Sequence, residues 1–599
     1  MKNFRLQILT LPVIGRWFIL GTAVGTVAGI GAIIFFLMLQ GSEYIFLDHL
    51  VGLRIGETAG EPAFFGHSHT EFKRWLLFIV PALGGLVSGY IVYKFAPEAS
   101  GHGTDAAIKA IHHKSGNIRW QVPIVKTIAS AITIGTGGSG GREGPIAQIG
   151  AGFASFLGRT LHLSDREKRI LTAAGMGAGV GAIFRSPLAG AIFASEVLYS
   201  SSDMEYEALL PSTITSIIAY SIFCSFFGWE PLFGTPDFAF KNPVELVGYT
   251  ALGFVCAGFG WFYVRTFYRI HDSFSAMHLP TYIKPAIGGL LTGCIGFFIP
   301  QTLAGSYSQI ELAMQNHLGL IFLLILIFAK IYATSFSIGS GGSAGIFGPS
   351  MVIGACVGGL VGVALNKVAP MLAPEPGAFV VVGMAGFFSG IANTPLSTII
   401  MVSEMTGNYH LLVPSMWVST LCFLLLRKTT MYVNQVPQRS DSPMHKGEFF
   451  LQVLQDIKVK NVMSTDPIVI PENMKFNEII PFISKTKHNN FPVIRENGTF
   501  AGVLLFEELR EFVQEEGLED IVVAGEVCET DVPAVSPDDS LSDAIENIGF
   551  KKTEMLPVVD PDNPDKLLGI ITRKDIISTY NKIIRRRQQA EQEKALDNF

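Results

Sequence analysis

The residue carrying the most chemistry is Glu143, in the run Gly141-Arg142-Glu143-Gly144-Pro145. A carboxylate inside a long apolar stretch is costly to bury and marks a functional position by default. Arg142 beside it could make a purely structural ion pair. The run recurs 204 positions later as Gly345-Ile346-Phe347-Gly348-Pro349, with neither charge, so the fold does not need that pair. A carboxylate at the mouth of an anion path could block it by mimicking the anion, and a proton would release it. Both runs lie in glycine-rich motifs, Gly137–Gly144 and Gly341–Gly348, that lead into apolar helical stretches. Such an entry aims backbone N–H groups at one point, with the positive end of the helix dipole behind them. Two of these brought together would cradle an anion without a full positive charge, a weak grip that lets the ion leave. The alternative is that the glycines only allow close helix packing; the paired registers favour the anion.

The elements that must position these residues repeat. Lys126 and Lys330 stand at the same 204-residue offset, and Gly150-Ala151 and Gly354-Ala355 continue it. Gly175-Met176, Pro187-Leu188 and Ser195-Glu196 then match Gly383-Met384, Pro395-Leu396 and Ser403-Glu404 at an offset of 208. Ordered repeats containing interrupted helices are the mark of a transporter fold, with its site near the midplane between repeats.

Composition agrees. Mean hydropathy is +0.39 and only 16% of the 599 residues are charged. Residues 451–599 nevertheless hold 44 of the 94 Asp, Glu, Lys and Arg and carry a net charge of −10, against +4 for residues 1–450. A membrane body with an acidic soluble tail follows, and the acidic tail argues against nucleic acid. Spans are expected at Trp17–Gln40, Trp75–Phe95, Leu209–Phe227, Leu246–Tyr268, Ala286–Ile299, Leu318–Phe336 and Leu411–Leu426. The stretches 132–159, 173–199, 338–366 and 377–406 are too broken by Gly and Pro for straight helices. Broken helices survive in hydrocarbon only where they face protein or a watery cavity. The first span lacks a cleavage pattern, so no signal peptide is expected. Lys2, Arg5 and Arg16 before the first span, and Arg427 and Lys428 after the last, place both termini in the cytoplasm. The six cysteines form no CxxC pair, and neither a disulfide framework nor a zinc site is expected.

These residues resemble the signature segments of the CLC chloride channel and transporter family, over about residue 17 to Tyr432. The resemblance implies a homodimer with one anion pathway per subunit and inverted-repeat halves. Glu143 takes the place of the external gating glutamate. Gly144, Gly345, Ile346 and Phe347 fall where the family's anion site is lined, and Tyr432 resembles the tyrosine whose hydroxyl touches the central ion. Two positions depart. Gly101-His102-Gly103-Thr104-Asp105 stands where the family usually has Gly-Ser-Gly-Ile-Pro, so His102 replaces a coordinating serine. Imidazole N–H can donate as a hydroxyl does, and near pH 6.5 it can gain charge; alternatively it is a solvated bystander. Val197, after Glu196, replaces an acid common in proton-coupled exchangers, and favours passive conduction. Glu196 and Glu404 are expected to serve at helix ends.

The tail resembles a tandem CBS pair, a module that often binds adenine nucleotides. Phe491-Pro492-Val493-Ile494 with Gly502-Val503-Leu504 matches Leu556-Pro557-Val558-Val559 with Gly569-Ile570-Ile571. Thr572 and Asp575 fit the phosphate- and ribose-contacting pattern; Leu505 and Glu508 fit it poorly. A purely structural or dimerising module is the alternative.

The expected fold is mostly α: a polytopic membrane protein of inverted-repeat broken helices, plus an α/β cytosolic CBS pair. Its parts are 1–435 (membrane), 436–454 (linker), 455–515 (first CBS motif) and 516–599 (second motif and a C-terminal helix). The expected function is chloride transport in the cell membrane of a bacterium, leaning to a voltage- or pH-gated channel, with proton-coupled exchange as the alternative. A CBS-regulated divalent cation transporter would need clustered intramembrane acids, and no nucleophile–base set or metal-ligand cluster points to an enzyme.

Overall fold

The computed structural model describes residues 13–61, 64–66, 68, 70–486, 489–505, 522–551 and 554–596. It divides into two compact units, Met1–Met444 and His445–Phe599.

The first unit is helical. α1 (Val13–Glu43) continues into a π-helical turn, Tyr44–Val51. There follow α2 (Val80–Phe95), α3 (Thr104–His113), α4 (Gln121–Gly135), α5 (Glu143–Thr160), α6 (Asp165–Ile183), α7 (Pro187–Glu196) and α8 (Tyr206–Phe227). After α9 (Glu245–Ala276) come α10 (Lys284–Phe298), α11 (Ser308–Met314), α12 (Leu320–Gly339), α13 (Phe347–Val368), α14 (Pro376–Ala392), α15 (Pro395–Thr406) and α16 (Leu412–Leu426). Each helix from α2 to α8 thus has a counterpart from α10 to α16. The offset grows from 204 to 208 because α13 has 22 residues where α5 has 18.

The two halves are inverted. Gly141 and Gly345 form an antiparallel bridge in which each N–H bonds the other's carbonyl, at 2.7 and 2.6 Å. Equivalent side chains pair across the seam in the same reciprocal way: Ser130 with Ser343 (3.0 Å) and Ser139 with Thr334 (2.9 Å). The breaks repeat as well. Gly137 and Gly341 turn with φ of 102° and 99°, a left-handed region that a side chain disfavours.

Helices α1, α8, α9, α12 and α13, together with the stretch Arg74–Phe95, are long and apolar enough to cross a bilayer, and large apolar side chains such as Phe18, Leu83, Phe254 and Ile321 face outward. This is a membrane protein. The expected spans Ala286–Ile299 and Leu411–Leu426 fall on α10 and α16, which have 15 residues each, about 22 Å at 1.5 Å per residue against a roughly 30 Å hydrocarbon core. Residues 436–444, expected as the start of a linker, pack within the first unit: Val436 pairs with Tyr199, and Ser442 Oγ meets His112 Nδ1 at 2.8 Å. Lys2 and Arg5 lie outside the described residues.

The second unit opens with α17 (Lys446–Gln455). Its first motif has β1 (Ile470–Pro471), α18 (Phe476–Ile483), β2 (Asn490–Ile494) and β3 (Phe500–Leu505), in sheet order β1-β2-β3. After the short α19 (Ala524–Val527), the second has α20 (Leu541–Lys551), β4 (Met555–Asp560), β5 (Asn563–Thr572) and α21 (Arg573–Leu596). Before α20, Val535 makes an isolated bridge to Val558 of β4. Amphipathic α18 and α20 each cover one small core, around Ile479 and Phe491 in the first motif and Leu541 and Leu556 in the second.

Candidate anion-binding site

The antiparallel crossing at Gly141 and Gly345 brings the starts of α5 and α13 together. A Cβ on Gly345 would lie 2.8 Å from the Gly141 carbonyl and the Gly144 N, and a Cβ on Gly144 would collide with the His102 carbonyl. The segments at 101–103, 141–144 and 345–348 therefore meet backbone to backbone, an approach that only absent side chains allow. The first N–H groups of both helices have no acceptor within their own helix and carry the positive dipole end.

Glu143 occupies this meeting point. It is 1% exposed, and its Oε2 accepts the N–H of Gly348 at 3.2 Å. Its Oε1 accepts the hydroxyl of Tyr307, which is 8% exposed. The carboxylate of one repeat thus sits on the helix start of the other, where an anion would be bound. Arg142 is not its principal partner: the guanidinium pairs with Glu61 and approaches Glu143 only to 4.0 Å, while lying 4.9 Å from the Tyr307 ring.

Beside the backbone crossing, His102 and Tyr432 face each other with ring centroids 5.5 Å apart, and Phe267 stands 6.4 Å from the imidazole. Tyr432 is 1% exposed. His102 Nδ1 is buried with no hydrogen-bond partner among the described residues. Ile346 and Phe347 are buried, and the Phe347 ring packs on Phe184 (4.6 Å) and Phe388 (4.0 Å). The structure thus gathers His102, Glu143, Gly144, Gly345, Ile346, Phe347 and Tyr432 around one seam.

Sequence reasoning missed Tyr307. It stands 204 positions after Gly103, so extending the repeat register backward pairs Gly101-His102-Gly103 with Gly305-Ser306-Tyr307. It also missed what the two repeat-marking lysines do. Lys126 and Lys330 are both fully buried. Lys126 Nζ bonds the carbonyls of Ala99 (3.0 Å) and Gly101 (2.7 Å), beside His102. Lys330 Nζ bonds the carbonyls of Thr302 and Ala304 and Ser306 Oγ (2.9–3.0 Å), beside Tyr307. Each pins one of the two loops that carry the site.

Glu196 and Glu404 cap each other's repeat. Glu196 accepts the N–H groups of Leu396 (2.9 Å) and Ser397 (2.8 Å) at the start of α15. Glu404 accepts Ala189 N–H (3.0 Å) and Ser186 Oγ (2.7 Å) at the start of α7. Val197 is fully buried. In the second unit Thr572 and Asp575 bond each other: Thr572 Oγ1 donates to Asp575 Oδ2 at 2.5 Å and accepts Asp575 N–H at 3.2 Å, closing the start of α21. Leu505 ends β3, and Glu508 lies outside the described residues.

Known proteins match both units of the chain. The family model "Voltage gated chloride channel" matches residues 84–427, and the CBS domain model matches 459–515 and 524–582. The H(+)/Cl(−) exchange transporter ClcA of Yersinia pestis is 31% identical over 347 residues, 57% of this chain and 72% of that one. Chloride channel protein CLC-f of Arabidopsis thaliana is 26% identical over 507 residues, 73% of this chain and 62% of that one. Among solved structures, a slow cyanobacterial Cl−/H+ antiporter superposes with a TM-score of 0.59 at 22% identity, covering 70% of this chain and 95% of the other. A eukaryotic CLC transporter superposes at 0.57 and 18%, covering 94% and 98%.

Proposed function

This chain belongs to the CLC family of voltage-gated chloride channels, with a tandem CBS pair, and we propose that it carries chloride across the membrane along the seam between its inverted repeats. The supporting observation is the placement of Glu143: its carboxylate accepts Gly348 N–H at the start of α13, as a bound chloride would. Ionised, Glu143 closes the path; protonated, it releases it. Voltage or pH then gates the flow. His102, Ile346, Phe347 and Tyr432 line the path, with Gly144 and Gly345 giving backbone access.

Passive conduction is the first reading, because buried Val197 cannot relay a proton. Proton-coupled exchange through Glu143 is the second, favoured by the likeness to a transporter named as an exchanger. The working unit is a homodimer in the cell membrane with both termini cytoplasmic, and an adenine nucleotide at the CBS pair would meet Thr572 and Asp575.

The test is chloride efflux from liposomes with and without a proton gradient. Passive conduction predicts chloride flux without net proton movement. Uphill proton movement driven by chloride would overturn it in favour of exchange, and loss of that movement in Glu143→Ala would identify the carboxylate. Absence of chloride flux in correctly folded, reconstituted protein would overturn both.

A further inference from the structure

We propose that the groove between the end of α9 and the turn after α16 binds the phosphate of an anionic phospholipid. Its lining includes Trp261, Arg265, Tyr268, Arg269 and Asp272 from α9, and Thr429 from the turn. The apolar run of α9 from Leu246 to Val264 spans about 28 Å at 1.5 Å per residue, close to the hydrocarbon thickness, and Arg265 is the next residue. The apolar run of α16 ends at Leu426, followed by Arg427 and Lys428. Both helices therefore reach the polar boundary of the membrane at this groove.

Trp261 is 49% exposed, and the Arg265 guanidinium lies 5.3 Å from its ring centroid. A tryptophan at this depth belongs to the interfacial belt, and the cation–π contact holds the guanidinium against it. Arg269 is one turn further on the same helix face. Arg265 and Arg269 are exposed, and neither makes an ion pair among the described residues. Asp272 is the acid in the lining, against two arginines inside the groove. Guanidinium forks match phosphate oxygens bidentately, and the apolar wall of Trp261 and Val264 suits the acyl chains that a free phosphate lacks.

Occupancy would bear on the ion path. Tyr268, from the groove, donates its hydroxyl to the Met431 carbonyl at 2.7 Å, one residue before Tyr432.

The full-length chain, stripped of lipid and then titrated with phosphatidylglycerol or phosphatidylcholine, is read by native mass spectrometry. Unaltered protein should retain phosphatidylglycerol in preference, and R265Q/R269Q should weaken that retention by about thirtyfold. Arg119→Gln, at an exposed arginine paired with Glu98, should leave it unchanged. Equal retention of phosphatidylglycerol by the double variant and the parent overturns the proposal. So does displacement of the lipid by millimolar inorganic phosphate, which would make the groove a free-phosphate site. Should R265Q/R269Q fail to fold, the lipid preference of the unaltered chain still decides, since its absence overturns the proposal.

Discussion

Glu143, the first residue of α5, accepts the N–H of Gly348, the second residue of α13, at 3.2 Å. One repeat thereby sets its own carboxylate on the helix start of the other, which the proposed function takes as a plug on the anion path. The plug depends on charge, because a carboxylate accepts from the N–H as an anion does, whereas a carboxamide or carboxylic acid does so weakly. Chloride efflux should therefore rise as pH falls on the side from which Glu143 is reached. Glu143→Gln should raise neutral-pH efflux to near the acid value and remove most of the pH dependence. A pH series on liposomes of both proteins measures this; an unchanged pH profile in the variant would remove Glu143 from gating.

The Tyr307 hydroxyl holds the plug in place. A hydrogen bond to a charged group contributes about 1.5–3 kcal/mol, so Tyr307→Phe should shift the closed-to-open balance by roughly tenfold to a hundredfold toward open. The variant should show higher chloride efflux at neutral pH and respond less to acidification. Combined with Glu143→Gln it should add nothing, because the two act on one contact.

Much of this was legible in the chain. Glu143 stood out as a carboxylate that the second repeat lacks, and the 204-residue register foretold that Gly141 and Gly345 are counterparts. What the register could not show is that counterparts touch, since a repeat in sequence is silent about which loops cross in space. Tyr307 stayed hidden for that reason: nothing about a lone tyrosine after Gly305-Ser306 announces a partner 164 positions earlier. Arg142 was misleading for the converse reason. Adjacent residues at a helix start point apart, and its guanidinium finds Glu61 from another segment instead.

Lys126 is fully buried, and its hydrogen-bond acceptors are carbonyls. A buried cation without a carboxylate is costly, and a nearby anion would offset that cost. Lys126→Met should destabilise the protein by about 2 kcal/mol, because the Ala99 and Gly101 carbonyls lose their donor. It should also raise the half-saturating chloride concentration by roughly tenfold, the order of one charge acting through the protein interior. Lys126→Arg, which keeps the charge, should retain most of the chloride affinity; equal losses in both variants would reduce the lysine to a packing role.

His102 Nδ1 is buried, faces the Tyr432 side of the seam and has no partner among the described residues. An imidazole N–H there can donate to a passing anion in place of a hydroxyl. His102→Ser should then keep chloride flux within about tenfold of the parent while flattening that part of the pH profile which survives in Glu143→Gln. Identical pH series for His102→Ser and the parent would leave the histidine without a role in permeation.

The last prediction separates capping from proton relay at Glu196. Its carboxylate is taken up by the N–H groups of Leu396 and Ser397 and by Ser397 Oγ (2.6 Å), just as Glu404 is taken up across the seam. A carboxylate capping a helix start in a partly buried setting contributes about 1–2 kcal/mol. Glu196→Gln and Glu404→Gln should therefore lower thermal stability in detergent by similar amounts, and should leave the ratio of chloride to proton movement as it is in the parent. Loss of proton movement in Glu196→Gln with stability intact would mean that the glutamate carries protons inward past Val197, and exchange would replace passive conduction as the mechanism.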